Sequence, residues 1–152
     1  SDVYKRQTKN GVRNMRRWYT EIPALRAAYP DLQVLSCHDE YLLPTMFDVD
    51  GLLVGYGNIA PELLVDLIEA GKARDYAAAH AIHERLLPIT KAVYHRGSHM
   101  EGTVALKWGL VNRGILDHAT VREPLLPLPA GADAEIAAAF ASADLSTVTV
   151  PA

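Results

Sequence analysis

The chain is 152 residues long, 49% hydrophobic and 22% charged, with a net charge of -3, a balance that supports a packed core and excludes disorder as a class. The small acidic surplus argues against a nucleic-acid partner, and no apolar stretch approaches the roughly 20 residues needed to span a bilayer, so no membrane partner is expected either. A single cysteine, Cys37, cannot close an intrachain disulfide and points to a reducing, cytoplasmic setting.

The opening heptapeptide, Ser1 to Gln7, is charged and fits neither a strand nor a helix. Read back into codons it spells the transposon end ligated onto fragments in sequencing libraries, so residues 1–7 are expected to be an artefact and Thr8 the first natural residue. Met15, Trp18, Tyr19, Ile22 and Leu25 then fall at three- and four-residue steps, which predicts a helix from Met15 to Ala28, bent or divided by Pro23. Arg13, Arg16 and Arg17 read as its solvated face. Pro30 and Asp31 make a turn, and Leu32 to Ser36 form a short buried strand. A helix carrying Tyr41, Leu42, Thr45 and Met46 follows, then a second short apolar run opened by Gly51. Pro61 starts the next helix, which closes on Gly71.

Strands stop after Gly71. Asp75 to about Tyr94 reads as one Ala-rich helix kinked at Pro88, and the segment around Met100 to Gly114 as another. A proline-rich crossing and a last helix precede the tail at 146–152. Parallel βα units leading into helices imply an α/β fold, the C-terminal part of a (β/α)8 TIM barrel followed by a helical C-terminal region. The expected division is 8–71 for the last βα units and 72–145 for the helical region.

"KNGVRNMRRW", "LQVLSCHDEYLLPTM", "DGLLVGYGNIAPELL", "ARDYAAAHAIHERLLPITKAVY" and "EGTVALKWGLV" are similar, in order and spacing, to segments of the dihydrodipicolinate synthase / N-acetylneuraminate lyase family of class I aldolases, from Thr8 to about Leu145. The resemblance implies a lyase that forms a Schiff base with a 2-keto acid such as pyruvate and joins or releases an aldehyde, without a metal or organic cofactor. It places Lys9 at the Schiff-base lysine and Leu53 at an apolar position beside the bound keto acid. It also implies a homo-oligomeric parent, since the family's C-terminal helices often join tetramers. A lysine amine is a useful nucleophile near neutral pH only when burial or a cation lowers its pKa from about 10.4. Lys9, so close to the start of the chain, is therefore expected to be solvated and inactive here, and the alternative reading is a non-catalytic folding or oligomerisation unit.

Cys37, His38, Asp39 and Glu40 follow a strand end, where barrel enzymes carry specificity, and Cys37 and His38 depart from the family's Gly-Asp-Asp-like step. As neighbours on extended chain they should point to opposite faces, which argues against a thiolate pair. Tyr56 could reach the barrel mouth, and Asn58 should form a turn or cap the helix after Pro61. His80, His83 and Glu84 share a helix face without making an established metal motif, and they read as structural, as do His95, His99 and His118. A metal-dependent hydrolase using Cys37, His38 and His80 is the remaining alternative.

Overall fold

The computed structural model describes residues 6–145 and 147–148. Strand β1 (Gln7–Asn10) pairs in parallel with β2 (Gln33–Ser36), Lys9 standing opposite Leu35. β2 pairs in parallel with β3 (Gly51–Leu52), giving a sheet of order β1-β2-β3. The ladder begins before Thr8: the Arg6 carbonyl accepts from the Gln33 N–H at 3.0 Å, and Gln7 is in β1. The end of the heptapeptide thus takes strand structure, contrary to the sequence expectation, because β2 offers it unpaired partners.

Helix α1 (Met15–Ala28) crosses from β1 to β2, capped by the Asn14 side chain, which accepts from the Arg17 N–H at 3.2 Å. Its buried residues Trp18 and Ile22 are one turn apart and pack with Val34 and Val49 into a small core. Pro23 does not divide it. The hydrogen bond that proline removes would have ended on the carbonyl of Tyr19, an exposed residue, where water can replace it.

Between β2 and β3 the expected helix is broken into three single turns: a 3-10 turn at Asp39–Tyr41, helix α2 (Leu42–Thr45) and a 3-10 turn at Met46–Asp48. Pro44 lacks a donor, and the Thr45 hydroxyl bonds the carbonyls of Tyr41 (2.7 Å) and Leu42 (3.3 Å) in competition with the backbone ladder. Asp50 then sets the register of β3. Its N–H donates to the Val34 carbonyl at 2.9 Å, and its Oδ2 accepts from the Val34 N–H at 2.7 Å and from Arg26 at 2.8 Å.

The remaining elements are α3 (Tyr56–Ile59), α4 (Pro61–Lys72), α5 (Tyr76–Val93), α6 (His99–Asn112) and α7 (Ala132–Ser142). Pro61 opens α4 as expected, but Gly71 lies inside it rather than at its end. Gly71 is there for space, since a Cβ would sit 2.7 Å from Met46 Cε. The chain turns instead at Arg74, whose φ is +58°. α5 runs on through Pro88 and packs against α4, α6 and α7. Leu42, Met46, Leu67, Leu86, Ile89, Ile136 and Phe140 belong to one large core under these helices, and Leu52 bridges it to the small core beneath α1.

Candidate active site

Three parallel strands end together at Asn10, Ser36 and Leu52, and the residues around these ends form the candidate site. On β2, Val34 and Ser36 point to the helix side: Val34 packs on Trp18, and the Ser36 hydroxyl lies 3.0 Å from that of Thr45. Leu35 and Cys37 therefore face the other way. Lys9 stands opposite Leu35, and a Cβ at Gly51 would meet Leu35 Cδ2 at 3.0 Å, which puts β1 and β3 positions on the same face. Leu53, two residues past Gly51, shares it. One sheet face thus carries Lys9, Leu35, Cys37 and Leu53.

That face is open. Lys9 is exposed and Leu53 is 52% exposed. Leu53 is held by its backbone, its N–H donating to the Ser36 carbonyl at 2.9 Å. A cavity of about 700 Å3 among Arg6, Leu25, Tyr29 and Leu32 lies at the opposite ends of the strands, away from Lys9.

Cys37 and His38 diverge. The Cys37 N–H donates to the Asn10 carbonyl at 3.1 Å, and its side chain lies beside Gly11, where a Cβ would be 3.7 Å from its Sγ. His38 turns under α1, 3% exposed, its ring edge-on to Trp18 with centroids 4.9 Å apart. Burial, and then the charge of Arg13, push the His38 pKa below 6.5 against an opposing pull from Asp39.

Asp39 ties the mouth together. Its Oδ1 accepts from the Tyr56 N–H at 2.9 Å and from the Tyr94 hydroxyl at 2.6 Å. Tyr56 does not reach the mouth as expected. Its ring is fully buried, its hydroxyl 2.5 Å from Thr90 Oγ1, because α5 offers that phenol a partner inside the core. Asn58 lies in α3 and donates to the Gly55 carbonyl at 3.1 Å, while Ala60 stands at the N-cap of α4 and no side chain caps that helix. Tyr94 escaped the sequence reading, where Leu86, Thr90 and Tyr94 form only an i, i+4 stripe that reads as core.

The histidines are dispersed. His80 Nδ1 is 3.8 Å from Glu84, His95 is 3.6 Å from Glu40, His99 is 3.3 Å from an Arg13 nitrogen, and His118 is exposed. His83 is lowered by burial and by His80. Among the described residues no group of three or more His, Cys, Asp or Glu side chains could hold a metal ion. No helix among them is long and apolar enough to cross a membrane.

Three parallel strands joined through helices are consistent with part of a βα barrel, and comparison with known proteins agrees with that fold. Residues 7–143 match the model of the dihydrodipicolinate synthetase family, and the chain belongs to that family. The 4-hydroxy-tetrahydrodipicolinate synthase of Kineococcus radiotolerans is 32% identical over 120 residues, which are 78% of this chain and 38% of that protein. The structure of YagE from Escherichia coli K12, a family member solved in complex with pyruvate, superposes with a TM-score of 0.77 at 25% identity, over 91% of this chain and 46% of that one. Dihydrodipicolinate synthase from Thermotoga maritima shares the fold with a TM-score of 0.80 at 18% identity, over 92% of this chain and 46% of its own. The chain spans about two fifths of the length of the curated relatives it matches.

Proposed function

We propose that this chain is the C-terminal part of a lyase or aldolase of the 4-hydroxy-tetrahydrodipicolinate synthase kind, acting through a Schiff base on a 2-keto acid such as pyruvate. Residues 8–71 are the last βα units of its barrel and 72–145 its helical C-terminal region. Lys9 is the amine and Leu53 an apolar contact for the keto acid. The observation that carries the reading is that Lys9 and Leu53 share one sheet face at the C-terminal ends of parallel strands.

The Lys9 amine adds to the keto carbon, and loss of water leaves a protonated imine. The imine takes up the electron pair released when a proton leaves the neighbouring carbon. The resulting enamine attacks an aldehyde carbon, and water then hydrolyses the imine to free the product and the amine. The imine itself is the electron sink, so the chemistry calls for no metal or organic cofactor. The lone Cys37 fits a cytoplasmic enzyme, and the family resemblance fits a homo-oligomer.

The exposure of Lys9 and Leu53 favours a second reading for this chain by itself, a folding or assembly unit without turnover. Borohydride reduction in the presence of pyruvate, read by mass spectrometry, tests both. The samples are this chain and a chimera in which its residues 8–143 replace the corresponding part of the Kineococcus enzyme. An adduct on Lys9 in the chimera and none in the chain alone is the expected result. A chimera that folds and carries no adduct on Lys9 overturns the Schiff-base reading.

A further inference from the structure

We infer that Tyr94, at the end of α5 in the helical region, is a positioning residue for the candidate site, holding the β3–α3 loop through Asp39. The inference rests on the Schiff-base reading above.

The loop that carries Leu53 is fixed at two points, one on the last residue of β2 and one on the segment after it. The Leu53 N–H donates to the Ser36 carbonyl at 2.9 Å, and the Tyr56 N–H donates to Asp39 Oδ1 at 2.9 Å. Between these points lies Gly55, closed in on three sides. A Cβ there would be 2.6 Å from the Tyr94 hydroxyl oxygen, 3.0 Å from Leu106 Cδ1 on α6 and 3.4 Å from Asp39 Oδ1. The Tyr94 hydroxyl donates to Asp39 Oδ1 at 2.6 Å, so one carboxylate oxygen joins α5 to the loop. The Tyr94 ring lies 5.2 Å from that of Tyr56, itself hydrogen-bonded to Thr90 on α5. Burial, and then the Asp39 charge, push the Tyr94 pKa far above 10, which keeps its proton available to Asp39 across the physiological range.

A hydrogen bond to a carboxylate is among the stronger ones, and without it Asp39 is held at this oxygen by the Tyr56 N–H alone. The loop then gains freedom at Val54 and Gly55, next to Leu53. Lys9 is on β1 and pairs only with β2, so it is not attached to this latch. The consequence is separable: loss of the Tyr94 hydroxyl weakens keto-acid binding and leaves the amine able to form its imine.

The test uses the chimera of residues 8–143 in the Kineococcus enzyme, with Tyr94→Phe and Asp39→Asn as separate variants. At saturating pyruvate both should form the borohydride adduct on Lys9, with KM for pyruvate raised about tenfold and kcat changed much less. Both weaken one interaction, Tyr94→Phe by removing its donor and Asp39→Asn by removing the charge that strengthens its acceptor, so the double variant should cost less than the sum of the two single ones. A folded Tyr94→Phe chimera with unchanged KM, or with only a lowered melting temperature, overturns the inference and leaves the Schiff-base reading intact. If Tyr94→Phe fails to fold, Asp39→Asn decides by the same KM criterion. Absence of the adduct in the unsubstituted chimera overturns both.

Discussion

The sheet layer and the helical layer are stabilised in different ways. Among the described residues, the large core under α4 to α7 gathers eighteen buried residues from seven stretches of chain, whereas the core between α1 and the sheet has four, Trp18, Ile22, Val34 and Val49. The helical layer is held by distributed packing, in which no single side chain dominates. The sheet layer depends on one indole and on polar stitches such as Asp50. The lysine proposed for the chemistry lies on the thin layer, and the groups that hold the mouth, Tyr94 and Thr90, come from the thick one. On the function proposed above, the helical layer supports the site rather than hanging from it.

Deleting a core side chain on each side should break this comparison most visibly. Trp18→Ala removes the largest buried side chain of the small core and should cost about 3–5 kcal/mol, and Leu86→Ala in the helical core about 2–5 kcal/mol. The costs are similar but their reach is not. By amide hydrogen exchange, Trp18→Ala should release protection across β1, α1 and β2 while α5 and α7 stay protected. Leu86→Ala should lower protection everywhere. Loss of α5 protection in Trp18→Ala would mean that the two layers unfold as one.

The long helices were legible because their apolar period survives every local irregularity, as in α4 and α5. The four residues of β2 were legible for the same reason. β1 was not: Gln7, Thr8, Lys9 and Asn10 have no apolar alternation, and only the family motif marked Lys9. The turns at 39–48 defeated the periodicity because Pro44 and Thr45 divert the backbone hydrogen bonds. Gly71 misled for a physical reason, since a glycine needed for close approach looks in sequence like a helix stop. The Asp39 to Tyr94 bond joins residues 55 positions apart, and no pattern in one sequence records such a pairing.

Acid should act on the sheet layer in two steps, an effect smaller than losing a core side chain. His38 is lowered by burial, so the unfolded chain takes up a proton near pH 6.5 where the folded one resists. Stability is then full above about pH 6.5 and falls with pH until the folded imidazole titrates. Asp50 gives the second step. Burial alone would raise it, but the Val34 N–H, the Arg26 hydrogen bond and the charges of Arg26 and Lys72 outweigh that, and its pKa is below 3.8. Its contribution is complete above about pH 3.8 and is lost as pH falls through the folded value. Denaturant midpoints across pH should show His38→Gln flattening the upper step in part, since His83 is lowered as well, and Asp50→Asn flattening the lower one. A profile that neither variant changes would refute the assignment.

Helix caps give the smallest effect and the sharpest contrast, because the same chemistry occurs in both layers. The Asn14 side chain accepts from the Arg17 N–H at the start of α1, and that of Asp75 from the Ala78 N–H at the start of α5. Replacing either with Ala should cost about 1 kcal/mol. At Asn14 the first helical turn leads directly to Trp18, the largest of the four buried hydrophobic side chains described in the small core, so the loss should spread along α1 to Ile22. At Asp75 the first turn carries exposed Tyr76 and Ala77 ahead of the buried face, so the loss should remain in that turn. Hydrogen exchange in Asn14→Ala should therefore accelerate through most of α1, and in Asp75→Ala only up to about Ala79. Equal spread in the two variants would mean that the layers share one cooperative core and that the thinness of the sheet layer has no thermodynamic consequence.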